Sequence, residues 1–127
     1  MAIEIINTKN APAPIGPYNQ SVKAGNFLFV SGQIPLDPIS MELVNKTVDE
    51  ETHQVFKNIL AILKEAGATL DNVVKVTVFL SDMSLFAQVN EIYGSYFTKN
   101  EPARECVAVK TLPKNVNVEI SVTAYLD

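Results

Sequence analysis

Apolar positions along the chain change period several times, and each change marks an element. Val55, Phe56, Ile59, Leu60, Leu63 and Ala66 recur at helical spacing, which predicts an amphipathic helix over Thr47–Gly67. Asp49, Glu50 and Glu51 suit its positive N-terminal end, and Gly67 suits its stop. A second stripe of Phe86, Val89, Tyr93 and Phe97 predicts another helix running to about Thr98, capped by Ser81 or Asp82. Asn90 falls inside that stripe, where an amide needs partners. His53 shares a polar face with Lys57 and Lys64 and reads as a solvated helix histidine.

Elsewhere the period is two. Ile3-Glu4-Ile5, Tyr18–Lys23, Phe27–Ser31, Val73–Leu80, Arg104–Lys110 and Val116–Leu126 read as strands. Ala24-Gly25-Asn26 turns between the second and third, and Leu112-Pro113-Lys114-Asn115 separates the last two. Ala11–Pro17 is a stiff proline-rich connection, and Pro38–Lys46 is a loop with room for a short hairpin. The order β-β-β-α-β-α-β-β predicts an α+β (mixed α/β) layer fold. Two helices cover only one face of such a sheet. Phe27–Val30 is apolar at every position, so both faces of that strand should be dry. Another subunit is the simplest cover, and an oligomer is expected on that ground alone.

At 127 residues the chain is long enough for one domain over 1–127 with a real core. A net charge of −4 argues against a groove for nucleic-acid backbones. The single cysteine, Cys106, excludes an intrachain disulfide, and the single histidine excludes a His-clustered metal site. The N-terminus Met1–Lys9 lacks a basic region followed by a long apolar run, and no stretch approaches a membrane span. The expected location is the cytoplasm, with no membrane partner.

Candidate chemistry concentrates in Pro102-Ala103-Arg104-Glu105-Cys106-Val107 and in Glu119 on the final strand. Arginine opening a mostly apolar strand is costly to desolvate unless it meets an anion, so a small-carboxylate site is suggested, with Glu119 as a proton handler. Alternation puts Arg104 and Cys106 on one face of their strand and Glu105 and Val107 on the other. Val116, Val118, Ile120, Val122 and Ala124 share one face of the last strand. Asn117, Glu119, Ser121 and Thr123 share the other. Each residue also has an ordinary structural reading: Arg104 as an ion-pair partner, Glu119 as a solvated carboxylate, Cys106 as a small core residue, Tyr18 as a packed aromatic, Gly32 after Ser31 as a strand-end turn. No spacing rule makes them converge.

A resemblance does. Ala13-Pro14-Ile15-Gly16-Pro17-Tyr18, Val30-Ser31-Gly32-Gln33-Ile34-Pro35, Val74–Leu80, Phe86-Ala87-Gln88-Val89-Asn90, Pro102-Ala103-Arg104 and the tail from Cys106 through Leu112-Pro113-Lys114 to Ile120 resemble, in order, the RidA/YjgF family of reactive-intermediate deaminases. The resemblance implies a chorismate-mutase-like fold: a six-stranded mixed sheet with two helices on one face, and a strand between the last two in sequence. It implies a homotrimer with sites between subunits. The implied activity is that of a 2-iminobutanoate/2-iminopropanoate deaminase, which hydrolyses imine or enamine intermediates to 2-oxo acids and ammonia without metal or organic cofactor. Arg104 would grip the substrate carboxylate, and Glu119 would activate water and shuttle a proton. Ser31, Gly32 and the backbone at Cys106 would fix the substrate. Tyr18 and Asn90 would shape the cleft from the facing subunit.

Three departures from the family pattern stand out. Glu105 replaces a small residue beside Arg104, where another anion could weaken carboxylate binding. Lys99-Asn100-Glu101-Pro102 is a short loop in which Glu101 replaces a commonly apolar residue. Met41 stands at a turn position where glycine is usual. Two further readings are carried: a non-catalytic regulatory trimer binding a 2-oxo acid, and an endoribonuclease or translation inhibitor, against which the acidic charge argues.

Overall fold

The two sequence periods become two layers. In the computed structural model, which describes residues 3–127, the strands are β1 (Ile3–Ile6), β2 (Ser21–Ala24), β3 (Phe27–Gln33), β4 (Val73–Leu80), β5 (Ala103–Ala108) and β6 (Val118–Tyr125). They form one sheet in the order β1-β2-β3-β6-β4-β5. Only β4 and β5 run parallel; every other pair is antiparallel. Parallel neighbours need a long crossover, and the helix α2 (Phe86–Tyr96) supplies it. The resemblance implied a strand between the last two, and that strand is β4.

Helix α1 (Val48–Glu65) starts where Thr47 accepts the Glu50 amide at 3.1 Å. It stops at Gly67, whose φ of 76° suits a residue without Cβ. Its stripe of Val55, Phe56, Ile59, Ile62 and Leu63 is wholly buried against Val76, Val78, Leu80, Val118 and Ile120. Each such side chain contributes roughly 1.5–3 kcal/mol. Leu60 falls off the stripe and is exposed. Four polar residues of α1 are buried instead, and three of them anchor loops or each other. Glu51 accepts the Asn117 amide and Nδ2 at 2.9 and 2.6 Å. Asn58 donates to the Ile34 and Leu36 carbonyls and accepts from Gln54.

Several boundaries differ from those the pattern suggests. β2 begins at Ser21, not Tyr18, because Gln20 is drawn off to the N-terminal segment, where its amide donates to the carbonyls of Thr8, Ala11 and Pro12. The second helix begins as a 3-10 turn over Met83–Leu85, capped by Asp82, and ends at Tyr96. β6 begins at Val118 because Glu51 holds Asn117 in the preceding turn. The loop after β3 closes on itself through a Leu36–Leu43 bridge. Met41 sits in it at φ 58°, a conformation glycine adopts at lower cost.

Both helices lie on one face of the sheet. On the other face Ile3, Ile5, Phe27, Phe29 and Tyr125 are each at least 42% exposed. Phe27 and Tyr125 pack edge to face at 5.3 Å. The face expected to be dry is thus apolar and uncovered in the isolated chain. Among the described residues no helix is long and apolar enough to cross a membrane.

Candidate functional site

The sheet register separates the candidate residues. Arg104 pairs with Val76 and Cys106 with Val78, whose side chains are buried under the helices. Arg104 and Cys106 therefore face the helices. Glu119 pairs with Phe79 and is flanked by the buried Val118 and Ile120, so it projects from the open face. Within one chain, the cation and the carboxylate lie on opposite sides of the sheet.

On the helix side, α2 builds a cradle for the guanidinium. Nη1 of Arg104 donates to Asn90 Oδ1 at 2.7 Å. The guanidinium carbon lies 4.6 Å from the centre of the Tyr93 ring and 5.6 Å from that of Phe86, within reach of the negative faces of both rings. The spacing of Phe86, Asn90 and Tyr93 on one helix face makes this arrangement. Asn90 is exposed, not buried in the stripe, and Arg104 is its partner. Among the described residues no carboxylate lies within ion-pair distance of Arg104. A cavity of about 480 Å³ opens here, lined by Asn90, Tyr93, Phe97, Glu101, Pro102 and Arg104. A fixed, positioned cation without an anion suits a ligand carboxylate.

On the open side, Glu119 meets Tyr18 and Gly32. All three line a niche of about 90 Å³, closed by Pro12, Gln33 and Pro113. Gln20, fastened to residues 8–12, holds the proline-rich wall in place. The Tyr18 hydroxyl accepts the Ile15 amide at 3.3 Å, which fixes the ring at the niche mouth. Glu119 takes no hydrogen bond from the described residues, and its burial pushes its carboxyl above the ordinary glutamate range. A carboxyl poised this way can pass protons to and from water. The niche is small, with room for waters, whereas the Arg104 cavity has room for a small organic acid.

The remaining candidates fall elsewhere. The Ser31 hydroxyl donates to the Asn19 carbonyl at 2.6 Å and so braces the Tyr18 loop, leaving it out of the niche lining. Cys106 packs against the core, and burial raises its thiol despite the opposing field of Arg104. A protonated thiol is a poor nucleophile. Within one chain Asn90 touches Arg104, and Tyr18 lines the niche of Glu119. Glu105 points to the open face, where Lys75 stands 3.2 Å away and the Thr77 hydroxyl donates to it. Thr77 first, then Lys75, holds its carboxyl below the usual range, so its charge is partnered on the face opposite Arg104.

Two contributors escaped the sequence pattern. Tyr93 reads there as mere core, yet its ring carries the guanidinium; its hydroxyl is buried without a partner among the described residues. Glu101 lines the Arg104 cavity, and only its departure from the family pattern drew attention to it. Among the described residues no three His, Cys, Asp or Glu side chains gather as a metal site.

Comparison with known proteins places this geometry among relatives. The family described as Endoribonuclease L-PSP matches residues 8–126. A RutC family protein of Pyrococcus horikoshii is 54% identical over 122 residues, covering 96% of this chain and 97% of that protein. The crystal structure of RidA from the Antarctic bacterium Psychrobacter sp. superposes with a TM-score of 0.93 at 43% identity, covering 97% of this chain and 99% of that one. The crystal structure of E. coli TdcF with bound serine gives a TM-score of 0.93 at 38% identity, covering 98% and 99%.

Proposed function

The chain belongs to the endoribonuclease L-PSP family, that of RidA and YjgF, and from that premise we propose that it hydrolyses 2-imino acids, such as 2-iminopropanoate and 2-iminobutanoate, to 2-oxo acids and ammonia. The observation that carries the proposal is the Arg104 guanidinium, held by Asn90 and Tyr93 and left without a carboxylate. TdcF was solved with serine, a carboxylate-bearing small molecule, and a ligand of that kind suits the Arg104 cradle.

Arg104 grips the substrate carboxylate, fixing the imine carbon. That carbon is already electrophilic. Glu119, its carboxyl made more basic by burial, takes a proton from attacking water and returns it to the departing nitrogen. Water adds to C=N to give a carbinolamine, which expels ammonia and leaves the C=O of the 2-oxo acid. Tyr18 and Gly32 close the Glu119 niche around the water.

The two halves occupy opposite faces of one sheet, so one chain carries the Arg104 half of one site and the Glu119 half of another. We propose that the site is completed between copies in a homotrimer. The Arg104 cavity of one copy meets the Glu119 niche of the next, and the apolar open face is buried against a neighbour. The exposed Phe27, Phe29, Ile3 and Ile5 support such burial.

The test is ammonia release from freshly generated 2-iminopropanoate. The wild type is expected to exceed the uncatalysed rate. Arg104→Ala is expected to lose nearly all of that excess, since truncating one partner of a charge pair enclosed between copies costs about 2–5 kcal/mol. Wild-type turnover by Arg104→Ala would remove the clamp from the mechanism.

A further inference from the structure

The cavity that holds Arg104 also holds a carboxylate of its own. Glu101, two residues before Ala103 at the start of β5, lines it together with Asn90, Tyr93, Phe97 and Arg104. Glu101 is exposed and, among the described residues, has no cation within ion-pair distance. At the Tyr93 hydroxyl, burial pushes the pKa up, Arg104 opposes it, and the field of Glu101 adds a smaller push upward. One guanidinium edge is committed to Asn90 and one face to Tyr93, which restricts where a bound carboxylate can sit. A ligand placed on Arg104 then shares the cavity with Glu101.

Resting on the carboxylate-clamp reading of Arg104, we propose that Glu101 sets substrate charge: the cleft accepts 2-imino acids with neutral or cationic side chains and turns away those with a second carboxylate. The cavity contains one cation held in position and one exposed carboxylate. A monoanionic ligand neutralises the cation; a dianionic ligand brings its second carboxylate against Glu101. Two carboxylates about 6 Å apart in an open, solvated cleft, where the effective dielectric is about 40, repel enough to cost roughly tenfold in affinity. The aromatic walls of Tyr93 and Phe97 offer that second carboxylate no donor, since the Tyr93 hydroxyl is buried away from the surface.

Calorimetric binding of 2-oxopentanoate and 2-oxoglutarate tests this without requiring turnover. The two acids share a five-carbon chain and differ in the terminal carboxylate. The wild type is expected to favour 2-oxopentanoate by roughly tenfold, with the ratio collapsing several-fold in Glu101→Gln and reversing in Glu101→Lys. An unchanged ratio across the three proteins overturns the inference. So does an equal gain for both acids in Glu101→Gln, which would mean that Glu101 merely competes for Arg104. Arg104→Ala separates this from the reading beneath it. If that variant binds 2-oxopentanoate as well as the wild type, the clamp is wrong; if it loses binding while the Glu101 ratio stays flat, only the charge filter is wrong. Failure of the wild type to bind either acid overturns both.

Discussion

The carboxylate of Glu119 lies across the Cα of Gly32: a methyl group added there would stand 2.6 Å from Oε2 and 3.0 Å from Cδ. Glycine is required at this position by a neighbouring side chain, not by backbone conformation, and that side chain is the proposed proton handler.

Gly32→Ala is therefore expected to displace Glu119 while sparing the fold, because the atoms in the way are the free end of a flexible chain. Displacing a reacting group by about 1 Å can cost about a hundredfold in rate. Steady-state kinetics should show that loss in kcat, and thermal melting should move only slightly. A variant with wild-type kcat would show that the Glu119 position is not critical.

Asn90→Ala should free one edge of the guanidinium. The hydrogen bond at 2.7 Å is charge-assisted, and losing it is expected to raise KM about tenfold with a smaller change in kcat. Arg104→Lys should behave worse, since an ammonium lacks the fork that meets a carboxylate with two parallel bonds. Unchanged KM in Asn90→Ala would leave the amide a bystander.

The pH dependence of stability follows from Glu119. Burial raises its folded pKa above the ordinary value of 4.5, so the folded state holds the proton more tightly than the unfolded chain. That contribution is fully present below the unfolded pKa and is lost as pH rises through the folded one. Urea unfolding of Glu119→Gln should lack this loss and gain stability relative to the wild type towards neutral pH. Parallel pH profiles for the two proteins would refute the assignment.

Glu105→Ser is expected to leave KM for the imine nearly unchanged. Lys75 and Thr77 already partner Glu105 on the face away from Arg104, and exposed pairs of this kind carry little stability. A marked fall in KM would mean that its field does reach the cleft.

Much of the layout was legible in the sequence because periodicity reports burial. The alternation of Val118, Ile120, Val122 and Ala124 against Glu119, Ser121 and Thr123 gave the faces of β6, and the Phe27–Val30 run gave an apolar second face. Strand order was not legible from spacing. Only the resemblance put a strand between the last two, without saying which, since register between distant segments leaves no local trace. The limits of β2 and β6 were missed because single buried side chains, Gln20 and Glu51, redirect the backbone there. At the site, Asn90 was visible as an amide out of place. Its partnership with Arg104 depends on the parallel pairing of β5 with β4 beneath α2, which no intrachain spacing encodes.

The most direct test of the central claim mixes two dead proteins. Arg104→Ala and Glu119→Gln are each expected to lose imine hydrolysis, and neither should regain it alone. Co-expressed and assembled together, they form intact sites wherever Arg104 of one copy meets Glu119 of another, about one site in four in a randomly mixed closed ring. Ammonia release from 2-iminopropanoate is expected to recover to about that fraction of the wild-type rate. A mixed assembly as inactive as its parents, or a wild type no faster than the uncatalysed reaction, would contradict the account.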